Sequence, residues 1–206
     1  MANKQGAGFH GVDSLKYAVL GGDAATVKNA AYVVGISLSR QISKTQKHAN
    51  NRMVCEIASD NGYTGTINTT APELDLETAL GMVMNVAGGA RAVVSRGSTP
   101  RADIYFETIV NYEDGTNEVV KTWFLNVAIS EPESIEHSTD TDSATFGNYA
   151  YPITVYGEML KASTGDADYV DDKGFKRRVY RLDSYPGDEG YTSFGSTVPA
   201  PRMATA

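Results

Sequence analysis

The stretch ADIYFETIVNYEDGTNEVVKTWFLNVAIS, from Ala102 to Ser130, decides the fold, because two β-rich runs flank Asp114-Gly115. That dipeptide is a strong hairpin signal: a two-residue type I′ turn needs positive φ at both central positions, which Asp and Gly tolerate best. Closing the turn there sets Glu113 opposite Thr116 and predicts every other pair. One face carries Tyr112 on Asn117, Val110 on Val119, Thr108 on Lys121, Phe106 on Trp123 and Ile104 on Leu125. The other carries Asn111 on Glu118, Ile109 on Val120, Glu107 on Thr122, Tyr105 on Phe124 and Asp103 on Asn126. The first face is largely apolar and the second amphipathic, so both are expected to meet a neighbour. Strands of this length outrun the usual span of about five to six residues. Pairing such hairpins between subunits turns open edges, otherwise a liability, into satisfied hydrogen bonds.

Outward from the hairpin, β-branched and aromatic content predicts strands over Leu15 to Leu20, Tyr32 to Arg40, Arg52 to Ala58 and Gly62 to Asn68. Gly21-Gly22-Asp23 and Asp60-Asn61-Gly62 read as turns between them. Gln41 to Asn51 is polar and without apolar periodicity, which predicts a long exposed loop carrying Lys44, Lys47 and His48, with Arg52 at its end. One helix is expected over residues 71–87. Thr70 and Glu73 have capping-box spacing, Glu73, Asp75 and Glu77 suit the positive end of a helix dipole, and Leu76, Leu80, Val83 and Met84 make an apolar face up to Gly88-Gly89. An acidic Ser/Thr segment, Glu131 to Ser143, separates the hairpin from a strand over Tyr149 to Leu160. Residues 1–14 read as an N-terminal arm, residues 15–160 as one domain, and residues 161–206 as a C-terminal arm or extension with a strand-like patch at Arg177 to Leu182. The fold class is mainly β: a β-sandwich with one flanking α-helix and a long central hairpin.

The chain of 206 residues fits one domain, and its 25 acidic against 18 basic residues give a formal charge of -7. An acidic surface repels nucleic acid and anionic lipid, which disfavours a duplex-reading protein. Cys55 is the single cysteine, so no intrachain disulfide forms and a reducing compartment suits the chain. With no secretory h-region and no apolar run long enough to span a bilayer, the chain is expected to remain soluble in a cytosol, without membrane association.

Chemistry is hard to place. His10, His48 and His137 lie in separate segments without ligand spacing. Gly35-Ile36-Ser37-Leu38-Ser39 lacks the second glycine of a nucleophile elbow and sits in a strand pattern. Asp166, Asp168, Asp171 and Asp172 with Gly174 approach a calcium loop, but Val170 stands where an oxygen ligand is needed. Asp103 and Glu107 belong to the hairpin's polar rows rather than to an acid/base pair. The expectation is no enzyme, no cofactor and no metal. Lys173, Lys176, Arg177 and Arg178 form the densest basic cluster, which suits an acidic patch on another subunit better than phosphate.

Several stretches in order carry a family resemblance: residues 11–20 (GVDSLKYAVL), residues 58–65 (ASDNGYTG), a helix opened by Pro72 with Leu80-Gly81 near its end, the hairpin ADIYFE to YEDGT, then Asn126-Val127-Ala128, Glu131-Pro132, Ser143-Ala144-Thr145 and Tyr151-Pro152-Ile153-Thr154-Val155. Together they resemble the major tail protein, or tail tube protein, of long-tailed bacteriophages over most of residues 9–160. The resemblance implies a tail tube fold in which each subunit gives four strands to a 24-stranded inner barrel of a hexameric ring. Rings stack into a tube through which DNA passes into the host cell without sequence-specific binding. It implies as partners the chain itself, a tape-measure protein, and tail terminator and tip proteins, in a virion assembled in the host cytoplasm. Inter-subunit pairing is assigned on this basis to the hairpin residues Tyr105, Glu107, Ile109, Asn111, Asp114, Gly115, Glu118, Val120, Thr122 and Phe124, and ring stacking to Lys44, Lys47, His48 and Arg52. A contractile tail is equally compatible. The competing class is a monomeric β-sandwich binding or adhesion module, for which the 12 tyrosines would supply a working surface.

Overall fold

The computed structural model describes residues 7–21, 26–31, 33–49, 52–95, 97–132 and 149–204. Most of Glu131 to Ser143, with His137, and residues 1–6 of the expected N-terminal arm lie outside them. Strands dominate: β1 (Ala7–Val19), β2 (Lys28–Ala30), β3 (Val33–Ala49) and β4 (Arg52–Thr69) precede the short helix α1 (Leu74–Ala79). There follow β5 (Val83–Asn85), β6 (Arg91–Val93), β7 (Arg101–Tyr112), β8 (Asn117–Ile129), β9 (Tyr149–Val155), β10 (Glu158–Met159), β11 (Arg178–Val179) and β12 (Arg181–Ser184).

One antiparallel sheet runs β2-β1-β7-β8-β9-β4-β3. The two layers expected of a sandwich are parts of this continuous sheet, which bends until β1 comes into contact with β3. Leu15 and Tyr17, Ile104 and Phe106, Phe124, Val127 and Ile129, and Tyr151, Ile153 and Val155 meet Leu76, Leu80 and Met82 of the α1 region in the main core. Burying apolar side chains at about 25 cal/mol per Å² drives this closure.

The central hairpin forms, but its strands are slipped by one residue from the expected register. Asn111 faces Asn117, Glu107 faces Lys121, Tyr105 faces Trp123 and Ile104 faces Phe124. Only Gly115 in the turn has positive φ, at 79°. Tyr112 accepts a hydrogen bond from the Gly115 amide at 2.9 Å and donates its own amide to Thr116 at 3.0 Å. Glu113, Asp114 and Gly115 thus form a three-residue loop with a bulge instead of a two-residue type I′ turn. Asp114 stays at negative φ, held by the Thr116 amide at 2.9 Å. A slip of one residue exchanges the faces of β8 against β7, so Phe106 stacks on Phe124, not Trp123.

Four further expectations are corrected. Helix α1 stops at Ala79 because Gly81 takes φ 68°, and Val83 and Met84 are strand residues turned against β6 at Gly88-Gly89. Glu73, not Thr70, is the N-cap, with no side-chain cap. Residues 60–62 are a bulge within β4, Gly62 at φ 84°, not a turn between strands. Residues 7–14, expected as an arm, pair with β7 as far as Ala7 on Tyr112.

The stretch from Lys161, expected as an arm or extension, folds onto its own body. Tyr105, Trp123 and Leu125 form a second core on the opposite face of the hairpin, covered by Val179, Leu182, Phe194 and Val198. The Trp123 indole donates to the Phe194 carbonyl at 2.7 Å, and Lys16 reaches the Gly195 carbonyl at 3.1 Å. Within the sheet, β12 lies on Lys121 to Phe124 of β8 while β9 takes Val127 to Ile129 of the same edge. The change of partner happens at a bulge, where Asn126 takes φ 52° and its amide donates to the buried Asp103 carboxylate at 2.7 Å. Leu125 then gives its amide to Tyr180 and its carbonyl to Gly157.

At Gly65 a Cβ would lie 1.8 Å from the Ser37 carbonyl oxygen of β3, whereas at Gly35 nothing lies within 4 Å. Gly65→Ala is therefore expected to destabilise the protein by about 1–3 kcal/mol through forced separation of the ladder. Gly35→Ala should be neutral or slightly stabilising, because alanine restricts the unfolded chain. Denaturant midpoints of the two variants check the contrast.

Candidate functional site

The register of the sheet gives the molecule two unlike ends. In β4, Tyr63 pairs with Val155 and Thr69 with Tyr149, and β8 pairs Val127 with Val155 and Ile129 with Ile153. Following each strand from these points, the β7–β8 turn at Glu113 to Gly115 and the last β3–β4 pair, Ala49 with Arg52, lie toward the same end. The entry to α1 lies at the other.

Residues Lys44, Lys47, His48 and Arg52 do not sit on a loop. Gln41 to Ala49 continues β3, with Lys44 on Ala58, Lys47 on Cys55, His48 on Met53 and Ala49 on Arg52. Cross-strand hydrogen bonding keeps this stretch extended although both faces of Gln41 to Lys47 are wet, which removes the alternation that marks a half-buried strand. β9 ends opposite Tyr63, so beyond it, among the described residues, β3 and β4 pair only with each other, as a ribbon projecting roughly 25 Å at the usual rise per residue. Lys44, Lys47 and Arg52 are exposed, as are Ile42 (53%) and Met53 (56%). At the root of the ribbon Arg40 pairs with Asp60 at 2.5 Å, and this hydrogen bond holds the Asp60 carboxyl below its usual range. Tyr180 donates to the Asp60 carbonyl at 3.0 Å, fastening the ribbon to the C-terminal segment.

The hairpin residues assigned to one inter-subunit face are divided by the observed register. Tyr105, Glu107, Ile109 and Asn111 share a face with Trp123, Lys121, Val119 and Asn117, whereas Glu118, Val120, Thr122 and Phe124 lie opposite, beside Val110, Thr108, Phe106 and Ile104. Tyr105 and Phe124 are core residues, and Val120 and Thr122 are buried. The Tyr105 hydroxyl donates to Glu107, and burial with that bond raises its pKa. Asn111, Asp114 and Gly115 at the tip are exposed. The outer edge of β1 meets β2 only over Leu15 to Tyr17, and among the described residues no strand pairs with the outer edge of β3. An open edge offers unpaired amides and carbonyls to a further strand.

The opposite end was not singled out from the sequence, although Gly88-Gly89 between Val83-Met84 and Arg91 to Val93 carried a hairpin signal. There α1 and the β5–β6 hairpin flank a largely apolar groove of about 240 Å³. Beneath it the Tyr151 hydroxyl donates to Glu77 at 2.7 Å and accepts the Glu73 amide at 2.9 Å. Glu73 is only 4% exposed, and burial pushes its carboxyl up to about 7. Burial likewise raises Asp103 to about 6 and Tyr17 to about 12.

Among the described residues no group of three or more His, Cys, Asp and Glu side chains stands in metal-holding geometry. In the acidic loop, Asp168 is held by Lys161 at 2.8 Å and Lys176 at 2.9 Å, and Asp171 pairs with Arg177 while accepting the Lys173 and Phe175 amides. These partners also engage much of the basic cluster that was assigned to another subunit, and Arg178 donates to the Tyr156 carbonyl at 3.0 Å. No helix of the described residues is long and apolar enough to cross a membrane.

No family model and no curated protein matches the chain. Among solved structures, the chain is similar to one titled "Cryo-EM structure of the anti-feeding prophage (AFP) baseplate, 6-fold symmetrised", with a TM-score of 0.36 and 12% identity over 71% of this chain and 87% of that one. A likeness of that degree carries no argument for fold or function.

The raised Glu73 carboxyl makes stability depend on pH with a definite sign. Between the ordinary glutamate range and about 7 the folded chain holds a proton that the unfolded chain has lost. Its stabilising contribution is complete at acidic pH and falls as pH rises through about 7. Glu73→Gln is expected to match the parent in mild acid and to exceed it in mild alkali, read from denaturant midpoints across that range. A parent advantage in alkali would show that Glu73 is ionised and satisfied.

Proposed function

We propose that the protein is a structural subunit that assembles into stacked rings forming a phage tail tube, the conduit for DNA ejection. The observation that carries this reading is the pair of long hairpins pointing to one end of a sheet in which, among the described residues, β3 and the part of β1 beyond β2 keep open edges. Pairing the β1 edge of one copy with the β3 edge of the next uses two different surfaces. Such a heterologous contact closes into a ring when its rotation divides a full turn. Six copies and an inner barrel of 24 strands are what the resemblance in the sequence adds.

The net charge of -7 suits a DNA conduit. A wall that held phosphate through even a few lysines per ring would retain the duplex strongly when repeated along a tube. The ribbon, with Lys44, Lys47 and Arg52, serves contacts between rings, and the tape-measure, terminator and tip proteins are its expected further partners.

Negative-stain microscopy of the purified protein beside a sizing column tests the assignment. Rings or tubes of constant diameter are expected. A strict monomer at high concentration, with tail-tip seeds present, would support a monomeric binding module instead. Tubes once formed should shorten toward rings as salt is raised, because contacts made by exposed charges are screened. They should also retain no duplex DNA at physiological salt.

A further inference from the structure

The groove between α1 and the β5–β6 hairpin is walled by Leu74 and Val93, with Met82 and Val83 among its lining. Val93 is 73% exposed, and Met84 and Val86 of the same hairpin also stand in solvent. Exposed apolar surface of this kind rimmed by polar residues marks a binding site. The surroundings are acidic: Glu77 and Glu131 line the groove with Arg91 as the basic residue, Asp75 adds charge on α1, and the last turn of α1 has no basic residue.

The ribbon at the other end has the complementary character. Its register places Ile42 and Lys44 on one face of β3, and the shift between Lys47 and His48 brings Met53 of β4 to the same face. That face therefore presents two exposed apolar side chains about a lysine, and Lys47 and Arg52 add positive charge on the reverse. A two-stranded ribbon without cover is marginal in water. Its own groove is out of reach, because Arg52 at the ribbon tip and Thr69 at the approach to α1 are the two ends of one strand of 18 residues, roughly 60 Å apart along the strand.

We infer that the Ile42–Lys44–Met53 face of the ribbon of one copy seats in the α1–β5–β6 groove of the next copy along the strand axis. The inference rests on the tube reading and names the partner of the ribbon within it. Ribbon and groove are different surfaces at opposite ends of one subunit, so the contact repeats from ring to ring without limit. Apolar burial supplies attraction, and the opposed charges set orientation and the rate of encounter.

Cysteine pairing tests it, since Cys55→Ser leaves the chain without a thiol. In that background one preparation carries Met53→Cys and a second Val93→Cys, and the two are mixed, assembled and oxidised. A disulfide needs Cα atoms within about 7 Å, so covalent dimers on a non-reducing gel report direct apposition. They are expected from the mixture in the assembled state, and not when Phe175→Cys, exposed on the C-terminal segment, replaces Val93→Cys. As a second measure, Val93→Asp should leave rings intact by microscopy and abolish stacking. Stacked rings without the cross-link, equal cross-linking to Phe175→Cys, or full-length tubes from Val93→Asp would each overturn the inference and leave the tube reading standing. Absence of rings from the parent chain would overturn both.

Discussion

Ile104, Phe106 and Phe124 lie on one face of the β7–β8 hairpin and Tyr105, Trp123 and Leu125 on the other, and all six are buried, which obliges the chain to cover this hairpin twice. The main cover is the bent sheet with α1 at its end. The second is the C-terminal segment, whose few apolar residues, Leu182, Phe194 and Val198, are placed directly over the indole and its neighbours. Fully burying side chains of this size contributes about 1.5–3 kcal/mol each, so neither cover is dispensable in a domain of ordinary marginal stability.

Covering both faces creates a problem at the edge of β8, which two strands must share. The bulge at Leu125-Asn126 solves it by offsetting the chain between the β12 and β9 segments. The strained Asn126 backbone is held there by a buried carboxylate, with Arg101 donating to the Asn126 side chain at 3.1 Å. Asp103 thus does structural work that its place in a polar strand row conceals. Its burial beside Glu158 raises its pKa, a cost tolerated because the amide it accepts would otherwise be orphaned.

The hairpin itself was legible from Asp114-Gly115 and its β-rich flanks, and so was the mainly-β class. Register was not, because both faces are apolar: Trp123 fits opposite Phe106 as well as opposite Tyr105, and pattern alone cannot choose between a two-residue and a three-residue turn. The ribbon was hidden for the opposite reason. Gln41 to Lys47 is wet on both faces, and a strand held by its partner alone leaves no periodic trace. Gly81 carried the information that α1 ends early, but the apolar spacing through Val83 and Met84 outweighed it. The strand-like patch at Arg177 to Leu182 was visible, while its docking depended on three apolar residues too sparse to form a pattern.

The place of β12 has a consequence for the order in which the fold is completed. Residues 181–184 cover the stretch of the β8 edge that β9 leaves bare, yet they are made after every other strand of the sheet. Chains emerge from the ribosome N-terminal end first. Until residues 181–184 emerge, therefore, the edge of β8 at Lys121 to Phe124 stands without the strand that covers it. The step that completes the sheet therefore waits for the last-made of its strands, whatever the order in which the others pair.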